Sequence, residues 1–485
     1  MNKRILTVFI ATVILLMAVG CEKTENTVSL IPENERLRIY FLDDEGQEIN
    51  LDKPCSRIIS MYSAHTENLY EIGAEKFLIG NYSTGIYPPE AALLPTFNYN
   101  GDPEAVIAAD PDCVIIRPFI SEKAPDWVSA VKRAGILVVS FYPENLEEFP
   151  EYIRKLAMLT GLEESASQKL ELFISRIDKI KSITVGIPED KRQTVFFEST
   201  ETNIRTVTPE SMPGQAIAFA GGINIASDVE PMSEGSTIAT FGEEKIFENA
   251  DNIDVYISQR GAMNAGGNLT SINERRGWDA VKAIKNNRVC LINEKLISSP
   301  TFRYYKGVNE IARFLYPDIM DDLSLFDNDN YATKRSFANI VIKSLHLPIY
   351  VPSSSKYYDT EQKGHTYGRL SDVNWQDEDF DYIETVIYSG IIGYERDSSG
   401  NDLFHPESDV TKDELAMAIF MSGNFKANEK ENIKILDLEQ CENQRIVQTL
   451  VNNGIFELNQ GRFNPKDVVT NHQIIEAFKK LEIRK

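Results

Sequence analysis

Arg57-Ile58-Ile59-Ser60 is the first of four short β-branched runs, and Phe77-Leu78-Ile79-Gly80, Cys113-Val114-Ile115-Ile116 and Leu137-Val138-Val139-Ser140 follow it. Helical stretches separate them, an alternation that predicts a parallel α/β lobe over residues 51–145. Beyond it, Leu156, Leu159, Leu162, Leu170, Phe173, Ile174, Ile177 and Ile180 fall near helical spacing. They predict a long, rigid connecting helix within 146–185, with a shorter helix ending at Gly161. A second α/β lobe, 186–326, is read from the runs Thr194-Val195-Phe196-Phe197, Val255-Tyr256-Ile257-Ser258 and Val289-Cys290-Leu291-Ile292.

Polar, turn-rich breaks at Asp327 to Asn330 and Ser353 to Gly368 set off a third region, 327–485, that repeats itself. Ser371-Asp372-Val373 recurs as Leu436-Asp437-Leu438, and Gly390-Ile391-Ile392 as Gly454-Ile455-Phe456. Phe404-His405-Pro406 through Thr411 recurs as Phe463-Asn464-Pro465 through Thr470. Tyr331-Ala332-Thr333-Lys334-Arg335 reads as part of an earlier copy, so a mainly α-helical array of stacked units is expected.

At the other end, Lys3 and Arg4 precede an apolar run, Ile5 to Val19, that stops at Gly20-Cys21. A run this short reads as an export signal rather than a membrane span. Ala18-Val19-Gly20-Cys21 resembles a lipoprotein box, with Ala18 where such boxes usually carry Leu. The resemblance implies a signal peptide over 1–21, a lipid on Cys21, and a tether over 22–50 with a strand at Leu37 to Leu42. An extracytoplasmic location, on the cell membrane through that lipid, follows.

Lys plus Arg is 50 and Asp plus Glu is 73, a net charge of −23 that repels nucleic acid and anionic lipid surfaces. Cys55, Cys113, Cys290 and Cys441 are widely scattered with no C-x-x-C pairing, so no disulfide scaffold or zinc knuckle follows from their spacing. No G-x-S-x-G, P-loop or H-E-x-x-H is present, so neither a catalytic residue nor a resident metal or cofactor is expected.

Several pieces recur in a fixed order: Arg57 to Ser60, Ala64-His65-Thr66-Glu67, Tyr87-Pro88-Pro89-Glu90-Ala91, Asp102-Pro103-Glu104 and Ala109-Asp110-Pro111-Asp112. Ala220-Gly221-Gly222-Ile223-Asn224 and Ser299-Pro300-Thr301-Phe302-Arg303 follow. The series, over about 54 to 320, resembles the class III periplasmic binding proteins for vitamin B12, siderophores and haem. That resemblance implies a monomer, not an enzyme, that captures a metal chelate and delivers it to the permease of an ABC importer.

It also implies site residues. The first lobe would contribute Ser63, His65, Tyr82, Tyr87, Tyr99, Arg117 and Phe119 to the ligand wall; the second would contribute Glu198, Arg205, Met212, Arg260 and Arg303. Arg117 stands where the vitamin B12 binder has Trp. A loop arginine either grips an anionic ligand or pairs with a carboxylate, and clustered arginines favour an anionic chelate over a neutral corrinoid. His65 either ligates haem iron or is a polar residue at a helix start. Glu104 and Glu244, with Glu243 as a substitute, match the permease-docking positions. The third region resembles S-layer homology modules, whose Thr-Arg-x-Glu stretch helps hold cell-wall polymer. Here the stretches read Thr333-Lys334-Arg335-Ser336, Thr411-Lys412-Asp413-Glu414 and Thr470-Asn471-His472-Gln473, so the array serves either wall binding or protein docking.

Overall fold

The computed structural model describes residues 38–84, 87–233, 236–350, 368, 370–423, 425 and 433–482. Cys21, the expected signal peptide and most of the expected tether lie outside them. Residues on the lobe side of that tether form an antiparallel hairpin, β1 (Ile39–Leu42) and β2 (Glu48–Leu51). Its apolar face buries Phe41 and Ile49 against the first lobe. Among the described residues no helix is long and apolar enough to cross a membrane.

The β-branched runs become two parallel sheets. The first contains β3 (Ile58–Ser60), β4 (Leu78–Tyr82), β5 (Thr96–Phe97), β6 (Cys113–Ile116) and β7 (Leu137–Ser140) in the order β5-β4-β3-β6-β7. Every residue of β3 and β6 is buried, as helices packed on both sheet faces require. The second sheet has the order β10-β8-β12-β13, with β8 (Thr194–Glu198), β10 (Ile223–Asn224), β12 (Val255–Arg260) and β13 (Val289–Asn293). A two-stranded ribbon, β9 (Arg205–Val207) with β11 (Ile238–Thr240), flanks it.

Strand order fixes where a ligand can enter. In the first sheet the chain runs outward from β3 to β5, then jumps back beside β3 to lay down β6. The second sheet reverses in the same way between β8 and β12. At such switch points the connecting helices leave to opposite faces, which opens a crevice at the carboxyl ends of the strands.

Between the sheets run helices Phe149–Thr160 and Glu163–Thr184. They break at Gly161, whose φ of 69° is a left-handed conformation that a side chain would strain. Phe302 packs edge-on against both Phe149 and Phe173, whose rings lie tilted on one another, across this junction. One apolar core is continuous through both lobes and these helices.

The third region has helices Lys334–Ser344, Phe380–Tyr388, Lys412–Ser422, Gln444–Asn452 and Asn471–Glu482 around its own core. Thr333, Thr411 and Thr470 open three of them. Each threonine's hydroxyl accepts the amide three residues on, from Ser336, Glu414 and Gln473. The preceding residues close a ring: the Ala332 amide donates to the Val469 carbonyl, Val469 to Val410, and Val410 back to Ala332, each at 2.9 Å. The cyclic pattern gives the three segments equivalent places. Asp372 and Asp437 make equivalent turns, each carboxylate accepting two successive amides, from Phe404 and His405 and from Phe463 and Asn464.

Candidate functional site

Five neighbouring strand ends of the first sheet each deliver a large side chain. In spatial order, Tyr99 follows β5, Tyr82 ends β4, Tyr62 follows β3, Arg117 follows β6 and Tyr142 follows β7. Arg117 leaves β6 beside the switch point and lies over the Tyr62 ring at 4.8 Å and the Phe119 ring at 4.7 Å. Tyr99 meets Phe119 edge-on and stacks on Tyr82 with centroids 5.7 Å apart. Tyr62 reaches Tyr142 on the other side. The result is a continuous aromatic rim holding one guanidinium. Beside it opens a cavity of about 560 Å³, lined by Arg117, Phe119, Tyr142, Tyr152 and Lys155, together with Asp44 of the hairpin and Glu144, Glu148 and Glu151.

Across the crevice, the second sheet presents Arg260 at the end of β12 and Lys295 just after β13. Lys295 Nζ donates to Ser63 Oγ at 3.0 Å, a bond between lobes. Burial, more than any other cause, lowers the Lys295 pKa; the charges of Glu67 and Glu294 raise it, and those of Arg303 and Arg117 lower it. Lys295 and Arg117 thus approach each other across the crevice, with carboxylates nearer to Lys295 than to Arg117. Among the described residues no carboxylate comes within ion-pair distance of Arg117, Arg205, Arg260 or Lys295. Arg205, half-buried on β9, has a buried Nε without a hydrogen-bond partner.

Several expected wall residues are placed otherwise. His65 is fully buried. Its Nε2 lies 3.1 Å from the Ile116 carbonyl, which can only accept, so Nε2 carries the proton and Nδ1 accepts from the Tyr152 hydroxyl at 2.7 Å. Burial pushes the imidazole pKa down to about 4. This histidine is a neutral core group rather than a ligand for iron.

Glu198 is also fully buried, and its oxygens accept from Tyr256, Ser258, Asn264 and Arg275. Burial alone would raise its pKa, but the Arg275 bond holds it below the usual carboxylate value. Its lone pairs are occupied. Met212 is buried at a helix start, where its carbonyl accepts from the Tyr304 hydroxyl. Ser63 is buried, though its hydroxyl meets Lys295.

Arg303 does not face the crevice as a free fork. It makes a bidentate pair with Glu67 of the first lobe, at 2.9 and 2.8 Å, and lies 3.6 Å over the Tyr87 ring. Tyr87, expected on the ligand wall, is buried under Arg303 and Trp375 of the third region. Glu104 and Glu244 are exposed in the first turns of helices Pro103–Ala108 and Gly242–Glu248, and Glu243 is exposed beside the latter.

Lys295, Tyr62 and Tyr142 were not singled out from the sequence. The signal for them was present, because each stands within two residues of a parallel strand's carboxyl end.

Residues 58–296 match the sequence model of the family described as periplasmic binding protein. Among curated proteins, the chain is 24% identical over 281 residues to the uncharacterized ABC transporter substrate-binding lipoprotein YvrC of Bacillus subtilis, covering 57% of this chain and 85% of that protein. It is 22% identical over 269 residues to a vitamin B12-binding protein of Vibrio cholerae, covering 54% of this chain and 90% of that protein. Among solved structures, a possible iron-binding, periplasmic solute-binding protein of Staphylococcus epidermidis is 22% identical with a TM-score of 0.48, covering 54% of this chain and 100% of that one.

Proposed function

We propose, from the premise that residues 58–296 form a periplasmic-binding-protein region, that the chain is the substrate-binding component of an ABC importer and carries an anionic metal chelate of the siderophore class. One observation carries the choice of ligand. Arg117, half-buried between Tyr62 and Phe119, has no carboxylate partner, and Lys295 converges on it from the other lobe. A partly desolvated arginine without a carboxylate partner is costly, and an anionic ligand group would supply that partner. The surrounding rings add flat contact area and cation–π attraction. A neutral corrinoid would use the same rings but leave Arg117 without a counter-charge.

Glu104 and Glu244 are the carboxylates through which the permease would be engaged, giving register and on-rate more than affinity. A lipid on Cys21 would hold the protein at the extracytoplasmic face of the membrane. Wall attachment is the weaker reading of the third region. The lysine of its groove of about 210 Å³, Lys334, is already paired with Glu395 and Glu414, which leaves an anionic polymer little to engage there.

Isothermal titration of the purified chain with a ferric tricatecholate, haemin and cyanocobalamin tests the ligand class. The tightest binding is expected for the ferric tricatecholate. Binding of cyanocobalamin alone would move the corrinoid reading ahead.

A further inference from the structure

We propose that the third region is a built-in brace, docked across the seam between the two lobes through Trp375 and restraining their separation. The seam is formed by bonds from one lobe to the other. Arg303 pairs with Glu67, Asn68 donates to the Pro300 carbonyl at 2.8 Å, and the Phe302 amide donates to Asn68 Oδ1 at 3.2 Å. The outer end of this seam is Tyr87, which covers the face of Arg303.

Trp375 closes over it. Its indole meets Tyr87 edge-on at 5.8 Å and Tyr70, on the first lobe's helix Ser63–Glu71, at 6.5 Å. The same segment is fixed to the other side. Asp381 Oδ2 accepts from Lys306 Nζ at 2.6 Å, with both side chains largely buried, and Glu378 accepts from Arg176 of the long connecting helix at 2.8 Å. Burial opposes the charge on Lys306, yet Asp381 raises its pKa overall. Farther along helix Tyr304–Leu315, Arg313 pairs with Asp321 and donates to the Leu347 carbonyl, while Glu310 accepts the Ile349 amide.

These contacts divide unequally between the lobes. The second lobe and connecting helix hold the third region by the buried Lys306–Asp381 pair, the more exposed Arg176–Glu378 pair and bonds to its backbone at Leu347 and Ile349. The first lobe meets it through the Trp375 ring, on Tyr70 and Tyr87. A swing of the first lobe away from Arg303 therefore has to withdraw Tyr87 from under the indole. A crevice of about 30 Å³, room for no more than a few waters, lies at this junction between Tyr87, Arg303 and Trp375, so the ring has little room to follow.

The Phe302 amide reports the motion directly, because its acceptor lies on the other lobe. Hydrogen exchange of the full chain, without ligand, is measured for the segment 299–303 and for the first-sheet core strand 113–116. The ratio of the two rates is compared between the native chain and Trp375→Ala. Loss of the indole is expected to raise that ratio about ten-fold, the scale of a pair of aromatic edge contacts. Trp375→Phe, which keeps a ring edge, is expected to restore most of the protection. An unchanged ratio in Trp375→Ala overturns the proposal, whether or not both rates rise together.

Discussion

Arg117 and Arg303 were expected to face one ligand from opposite lobes, and they ended in opposite circumstances. Arg303 is buried, bidentate with Glu67, capped by Tyr87 and roofed by Trp375. Arg117 is only half-buried, carries rings on its faces and has no carboxylate of its own. The first arrangement completes an arginine's hydrogen-bonding inside the protein and so builds a seam. The second leaves the fork open, and an open fork in a crevice selects for a ligand that can fill it.

The contrast is broken most severely at the seam. Glu67→Ala should destabilise the chain by about 3–5 kcal/mol in urea melts, because it leaves Arg303 buried without its partner. A loss below about 1 kcal/mol would show that Arg303 does not depend on Glu67. Next in size is a pH effect beneath the rim. The folded His65 titrates at about 4 against an unfolded value near 6.5, so the unfolded chain binds the extra proton between those values. Stability is therefore full above about pH 6.5 and falls, by about 3 kcal/mol, as pH drops toward 4. Replacing His65 with Gln should flatten that part of the profile, and an unchanged slope would assign the acid loss to other groups.

The smallest stability effect belongs to the rim. Arg117→Ala should change the unfolding free energy from urea melts by no more than about 0.5 kcal/mol, since no internal ion pair is lost. Reversing Glu104 and Glu244 to Lys should likewise leave ligand affinity within about 0.5 kcal/mol of native while abolishing uptake, because both lie outside the crevice. A large affinity loss there would contradict their separation from the binding rim.

Much of the frame was legible in the sequence, because parallel strands buried on both faces announce themselves. The runs at Cys113 to Ile116 and Leu137 to Ser140 coincide with β6 and β7, and that at Val255 to Ser258 lies within β12. The hairpin of β1 and β2 was half legible, since Phe41 and Ile49 are buried while Ile39 and Leu51 pack against the core only in part. Motif position led to Arg117, Tyr82, Tyr99 and Phe119 at the crevice. It misplaced Glu198 and Arg303, whose partners Arg275 and Glu67 stand 77 and 236 residues away. Whether a charge faces a ligand depends on what the fold brings beside it, and local spacing holds no record of that. Tyr87 was hidden for the same reason, since its cover comes from Trp375 of a different region.

Arg117 is the open cation on which the choice of an anionic ligand rests. Calorimetric titration of Arg117→Ala and the native chain with a ferric tricatecholate and with cyanocobalamin addresses it most directly. Loss of about 2–5 kcal/mol for the anionic chelate, with little change for the neutral corrinoid, is the predicted result. Equal losses for both ligands, or none for the anionic one, would contradict it.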